Sequence, residues 1–176
     1  MMKYQEIIDC CYRGDGAAKL EMARELAGRY GNGLLREKIV VEKLTVLRRL
    51  AASLDAHMAA MDMGRTCSSC AARVDGGCCS FYMGNENNDA LLLLMNILAG
   101  VEPSLVCGNR VECCFLGEKG CILLVKPIFC LNYLCSHIQD CTSTAELLEL
   151  EKRSGALLTA QSELEQFLIR FMQTES

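Results

Sequence analysis

Residues 34–63 read LLREKIVVEKLTVLRRLAASLDAHMAAMDM, and the spacing of their apolar side chains predicts one long helix. The apolar positions recur at alternating intervals of four and three residues: Val40, Leu44, Leu47, Ala51, Leu54, Met58 and Met61. This spacing puts them on one face of a helix, which a soluble protein buries against other helices. Gly64 is expected to end the helix. The stretch therefore predicts a mainly α fold with its core along this apolar face.

Two shorter helices are predicted on either side of the long one. Residues 17–30 are rich in helix-forming side chains, and the Gly-Asn-Gly sequence at 31–33 is expected to end that helix. Residues 89–99 include four consecutive leucines, with Asn88 as the expected N-cap and Gly100 as the expected stop. The leucine run predicts that this helix is buried on most sides.

A last helix is predicted to begin at Ser143. Ser143 stands three residues before Glu146, which is the spacing of a capping box. One face then carries Leu147, Leu150, Leu157, Leu164, Leu168 and Phe171, interrupted by the polar residues Ser154 and Gln161. This face could pack on the apolar face of residues 34–63 or on a second subunit, and packing within one bundle is the expectation.

Residues 113–127 have a different pattern, in which two short apolar runs flank Gly-Glu-Lys-Gly at 117–120. A short β-hairpin is predicted here, with Pro127 ending its second strand. The predicted fold class is therefore mainly α: a small helical bundle with an irregular cysteine-rich segment and a short β-hairpin.

The composition is that of one folded domain. The chain has 176 residues, of which 51% are hydrophobic and 23% charged, and a net charge of −4. These values exclude a mainly disordered chain and give no basic field for nucleic acid. Acidic residues interrupt the amino terminus before a signal peptide could form, and the longest apolar run, residues 91–101, is too short to span a bilayer. We therefore expect a cytoplasmic protein with neither a nucleic-acid nor a membrane partner.

Thirteen cysteines are present, and ten of them fall within residues 67–135. An odd number in a reducing compartment argues against a disulfide framework, which leaves metal ligation or thiol chemistry. Cys67 and Cys70 form a CxxC, whose two sulfurs can occupy neighbouring corners of a metal site. Cys78 and Cys79 are adjacent and would point to opposite faces of an extended backbone. We therefore expect that these two do not bind the same ion.

The order of these cysteines resembles the CxxCxxCC (YkgJ-like) family of zinc- or iron-chelating proteins. The matching elements are CSSC at 67–70, CC at 78–79, CCFL at 113–116, GC at 120–121, KPIFC at 126–130 and LNYLC at 131–135. The resemblance implies that the metal ligands are Cys67, Cys70, Cys78, Cys79, Cys113, Cys121, Cys130 and Cys135.

This chain departs from the family pattern at three places. The interval between Cys70 and Cys78 is longer, Lys126 stands where the family has arginine, and Cys114 adds a thiol beside Cys113. Which of Cys113 and Cys114 binds metal is therefore left open. Basic residues near the cysteines could offset the negative charge of a thiolate site or lie on the surface: Arg65, Arg73, Arg110 and Lys126. Of the two histidines, His57 is expected to be an ordinary helix residue, and His137 is a further candidate ligand.

The predicted function is a metal-binding protein that holds zinc or iron, as an ion or an iron–sulfur cluster, through clustered thiolates. Two alternatives are kept: a metal-dependent enzyme related to flagellin lysine N-methylation, as the wider family implies, and a protein-interaction or metal-handling module, including a homodimer through the helix faces. The predicted organisation is an N-terminal helical part at 1–63, a cysteine-rich metal-binding segment at 64–141 and a C-terminal helix at 142–176 that packs on the same domain.

Overall fold

The computed structural model of the protein describes residues 4–71, 77–104, 112–117, 120–131 and 135–175, with only the backbone at Tyr4, Asn87 and His137. Arg73, Arg110 and the side chain of His137 therefore lie outside the described residues. The helices are α1 (Tyr4–Tyr12), α2 (Gly16–Leu34), α3 (Lys38–Ala60), α4 (Met63–Ala71), α5 (Phe81–Asn87), α6 (Ala90–Leu98), α7 (Ser136–Gln139) and α8 (Thr144–Thr174). The remaining elements are the strands β1 (Leu116–Gly117) and β2 (Gly120–Cys121) and a 3-10 helix at Ile128–Leu131. The predicted mainly α fold is confirmed.

Helix α3 packs along α8, and α2 packs against α6, so the core lies among these four helices. The five apolar positions of α3 from Val40 to Leu54 are buried, as are Leu150, Leu157, Leu164 and Leu168 of α8. The prediction that the two apolar faces pack together within the chain is confirmed. The capping box at the start of α8 is also present, because Ser143 and Glu146 each accept a hydrogen bond from the backbone of the other.

Helix α2 continues through the glycines that were expected to end it. Gly31 and Gly33 are helical, and the C-cap is Leu35. The prediction that the helix stops at residue 31 was wrong. A β-carbon on Gly33 would lie 3.1 Å from Cζ of Phe171 in α8. The missing side chain thus lets α2 approach α8 closely.

The chain after α3 is helical, although Gly64 was expected to end helix formation there. A short break at Met61 and Asp62, where Asp62 has a φ of 52°, separates α3 from α4. Helix α4 then runs from Met63 through Gly64 to Ala71, so the CxxC lies on a helix and not in a loop. A single residue with positive φ redirects the chain, and the next turn resumes helical hydrogen bonding.

The predicted hairpin is present but much shorter than expected. Its strands pair Leu116 with Cys121 and Gly117 with Gly120 in antiparallel register. The second strand ends at Cys121, and Pro127 does not end it. The backbone of residues 124–126 instead forms hydrogen bonds with side chains of α6 and α8. Helix α6 was predicted correctly, with Asp89 in place of Asn88 as its N-cap.

Among the described residues, no helix combines the length and apolar character needed to cross a membrane.

Candidate metal centre

A cavity of about 310 Å³ lies between α3, α4 and the hairpin. Six of the eight predicted ligands line it: Cys67, Cys78, Cys79, Cys113, Cys121 and Cys130. The rest of the lining combines apolar side chains such as Met58, Met63 and Phe115 with one charged pair, Asp55 and Lys126. Cysteines that are far apart in the sequence therefore meet at one place in the fold.

Helix α4 supplies Cys67 and Cys70, which are three residues apart and so lie on the same side of the helix. Cys67 lines the cavity. The sulfur of Cys70 lies close to the turn before α5. A β-carbon on Gly77 in that turn would lie 3.0 Å from it. Cys70 is therefore next to the segment that carries Cys78.

Cys78 and Cys79 lie in a turn, closed by a hydrogen bond of 3.0 Å from the Ser80 amide to the Gly77 carbonyl. Both side chains line the cavity, and their thiols are hydrogen-bonded to each other. The expectation that they point to opposite faces was wrong, because it assumed an extended backbone. The turn brings both thiols to the same wall.

Cys113 joins this wall, whereas Cys114 is not among the described residues that line the cavity. The Cys113 amide donates a 2.7 Å hydrogen bond to the Cys79 carbonyl, which ties the two cysteine segments together. A β-carbon on Gly84 of α5 would lie only 2.6 Å from the Cys113 sulfur, so the glycine lets α5 approach Cys113 closely. The Cys114 sulfur faces α2, 3.4 Å from where a β-carbon on Gly16 would lie. The geometry distinguishes two thiols that the sequence did not.

The last thiols come from the hairpin and the segment after it. Cys121 ends β2, and Cys130 lies in the 3-10 helix, where its amide donates to the Pro127 carbonyl at 2.9 Å. Cys135 caps α7, which packs against α4, and its side chain is half-buried. Cys70 and Cys135 are therefore the two predicted ligands that lie beside the cavity without lining it.

Hydrogen bonding among Cys67, Cys78 and Cys79 favours the ionised form of Cys67 and Cys78. Hydrogen bonding from Cys79 lowers the pKa of Cys67 and lowers the pKa of Cys78 to about 6. The pKa of Cys79 itself is raised, because its hydrogen bonding with Cys67 and Cys78 and its burial favour the protonated thiol. A hydrogen bond from Cys114 likewise lowers the pKa of Cys113 to about 7. Thiolates, which are the form that binds metal, are thus favoured on this side.

The opposite side of the cavity favours protonated thiols. Burial raises the pKa of Cys121 to about 11 and also raises the pKa of Cys130. The positive charge of Lys126 opposes both shifts, although burial outweighs it. Metal binding here would therefore have to displace protons.

Lys126 is the one basic residue among the described residues lining the cavity, and its side chain is only 3% exposed. Its ammonium donates a 3.0 Å hydrogen bond to Oδ1 of Asp55 in α3. Arg65 lies differently, since its side chain is 81% exposed and pairs with Asp62. Of the two charge-partner candidates within the described residues, Arg65 and Lys126, the structure places Lys126 at the thiols.

Two buried amide side chains hold the segment that carries Lys126. Asn96 of α6 accepts from the Leu124 and Val125 amides at 2.8 and 3.0 Å and donates to the Val125 carbonyl at 2.9 Å. Gln161 of α8 accepts from the Lys126 amide at 3.2 Å and donates to its carbonyl at 2.9 Å. These residues were not predicted to matter for the site. Their signal in the sequence was the interruption of an apolar helix face by an amide.

The donor chemistry of the cavity fits zinc or iron. Thiolates suit these metals, whereas calcium and magnesium prefer oxygen ligands. Within the described part of the chain, no group of three or more Cys, His, Asp or Glu side chains already surrounds one metal-sized position. Binding would thus have to draw thiols of the wall closer together. His57 lies elsewhere, with Nε2 3.0 Å from the Glu146 carbonyl at the start of α8.

Comparison with protein-family models, with curated proteins and with solved structures found no match to this chain.

Proposed function

We propose that this protein binds zinc or iron through cysteine thiolates at the cavity between α3, α4 and the hairpin. The observation that carries the proposal is that six cysteines from separate segments of the chain line one cavity. In a chain with thirteen cysteines, some thiols would meet by chance. However, six around one space, with hydrogen bonds among Cys67, Cys78 and Cys79, is the pattern of a ligand set.

The residues of this chain would divide the work of the site. Cys67, Cys78 and Cys113 have lowered pKa values and would supply the first thiolates. Cys121 and Cys130 would complete the ligand set from the hairpin side after losing their protons. A zinc ion would supply a structural cross-link, and an iron–sulfur cluster would add electron transfer.

The first experiment is an absorption spectrum with elemental analysis of protein purified without oxygen. A brown protein with iron and sulfide identifies a cluster, and a colourless protein with stoichiometric zinc identifies a zinc site. Protein that contains neither metal, and takes up neither when it is reduced and supplied with each, contradicts the proposal.

Neighbouring cysteines offer a matched pair of variants for the second experiment. Cys113→Ser removes a thiol that lines the cavity, so it should lower the metal content by half or more. Cys114→Ser changes a buried thiol that faces α2, and serine can still donate a hydrogen bond to Cys113, so metal should be retained. Equal metal content in the two variants would contradict the assigned ligand.

Thiol redox chemistry is a second candidate, because the Cys79 thiol is hydrogen-bonded to Cys67 and Cys78, whose pKa values are lowered. Hydrogen bonding from Cys79 to Cys78, with the pKa of Cys78 lowered to about 6, is typical of a reactive thiolate. In this case a small disulfide reagent would oxidise two protein thiols to one disulfide and itself be reduced to two thiols. Metal-free protein that loses two thiols stoichiometrically would support this candidate over metal binding.

A further inference from the structure

We infer that Lys126 is a positioning residue of the thiol site, whose buried positive charge stabilises the metal–thiolate complex, and that Asp55 holds this charge in place. The inference rests on the proposed function, because it concerns the charge of the site once thiolates have formed. It goes further by naming two residues that do not bind metal and yet set the affinity for it.

Lys126 is buried to a degree that is unusual for a lysine. An ammonium group loses its hydration when it is buried, so lysine is seldom as enclosed as this one, at 3% exposure, without a local reason. Its wall of the cavity is shared with Cys121 and Cys130. Four thiolates around a zinc ion carry about two net negative charges, and an anionic centre of this kind is such a reason.

The two residues of the ion pair, Lys126 and Asp55, are unequally exposed to water. Asp55 keeps 56% of its side chain exposed, so water screens its negative charge, whereas the positive charge of Lys126 is shielded from water. The thiols therefore experience a net positive field from a pair that is formally neutral.

The backbone at Lys126 is held in place by hydrogen bonds. Gln161 bonds to both backbone groups of Lys126, and Asn96 bonds to both backbone groups of Val125. Helices α8 and α6 thereby fix the position of the lysine backbone, and Asp55 fixes the position of its ammonium group. Residues that surround a metal site without binding the metal commonly provide such support.

The test measures zinc affinity of the reduced, metal-free full chain by competition with a coloured chelator at pH 7. Lys126→Met keeps the apolar stem and removes the charge, so zinc affinity should fall by about 10- to 100-fold. Lys126→Arg keeps the charge and should stay within about threefold of wild type. Lys43→Met breaks another lysine–carboxylate pair of α3, with Glu163 of α8. Neither residue lines the thiol cavity, so zinc affinity should be unchanged.

Asp55→Asn separates a charge effect from a structural one. If Asp55 only helped the fold, its loss would weaken zinc binding as Lys126→Met does. Asparagine keeps a side-chain oxygen that can accept the hydrogen bond holding the Lys126 ammonium, so removal of the screened negative charge alone should leave zinc affinity equal or increase it. Weaker binding by Asp55→Asn, or wild-type affinity in a folded Lys126→Met, would overturn the inference. Wild-type protein that binds neither zinc nor iron would instead refute the proposed function.

Discussion

Single polar residues on apolar helix faces determine how the cysteine-rich half of this protein is held. Asn96 is fully buried in α6, and its amide replaces the strand pairing that residues 124 and 125 would otherwise need. Gln161 does the same for residue 126 from α8. A buried backbone group without a partner is costly, so these amides decide the path of the chain towards Cys130.

The substitution Asn96→Ala tests this role. It would leave the Leu124 and Val125 amides without their acceptor and should lower the free energy of unfolding by about 3 kcal/mol. The control is Asn32→Ala in α2, where the side chain is exposed and alanine favours the helix, so the change should be within about 0.5 kcal/mol. Urea unfolding of the reduced, metal-free proteins measures both. Similar losses at the two sites would show that Asn96 does not anchor the segment.

At the scale of elements, the helices pack closely because glycine is used within them. Gly33 lets α2 approach Phe171 of α8, and Gly84 lets α5 approach Cys113. Other glycines lack such contacts. A β-carbon on Gly28 of α2 or on Gly155 of α8 would meet nothing within 4 Å. The same residue type therefore has opposite consequences for stability at different positions.

Alanine substitution should separate these two groups of glycines. Gly28→Ala and Gly155→Ala should each raise the free energy of unfolding by about 0.5–1 kcal/mol. Alanine lowers the conformational entropy of the unfolded chain, and its methyl group would not clash with any atom in the folded helix. Gly33→Ala should gain less or lose stability, since its β-carbon would lie 3.1 Å from the Phe171 ring. Thermal or urea unfolding measures the order of the variants. A larger gain for Gly33→Ala than for Gly28→Ala would contradict this packing.

The elements also show which parts of the fold could be predicted from the sequence. Helices α3, α6 and α8 were predictable because periodicity and capping are local signals. The helical CxxC, the continuation of α2 past Gly31 and the early end of β2 were not, because each depends on a partner distant in sequence. The convergence of cysteines was predicted from their order, but the roles of Asp55, Asn96 and Gln161 required the packing of the helices.

At the scale of the whole molecule, two layers depend on different interactions. The helices α2, α3, α6 and α8 bury the leucine-rich core and need no thiol for it. The cysteine layer comprises α4, the turn with Cys78 and Cys79, α5, the hairpin and the 3-10 helix. Its described residues include two strands of two residues each, one isolated bridge between Ser80 and Glu112, and the thiol-lined cavity, while Phe115 and Leu123 are buried in the common core. Under the proposed function, metal supplies the cross-links that this layer lacks.

Removal of the metal should therefore loosen the cysteine layer before the helical layer. After treatment with a strong chelator and reductant, we expect hydrogen exchange at the amides of Cys113, Leu116 and Ile122 to accelerate about tenfold or more, since these amides bond within the cysteine layer. Amides in the centres of α3 and α8, such as those of Leu47 and Leu157, should keep their protection because their helices pack on each other. Cys113→Ser, which should hold less metal from the start, provides the control, since chelator should change its exchange less than that of the wild type. Uniform acceleration across both layers, or none in either, would mean that the metal does not hold the cysteine layer in the way proposed.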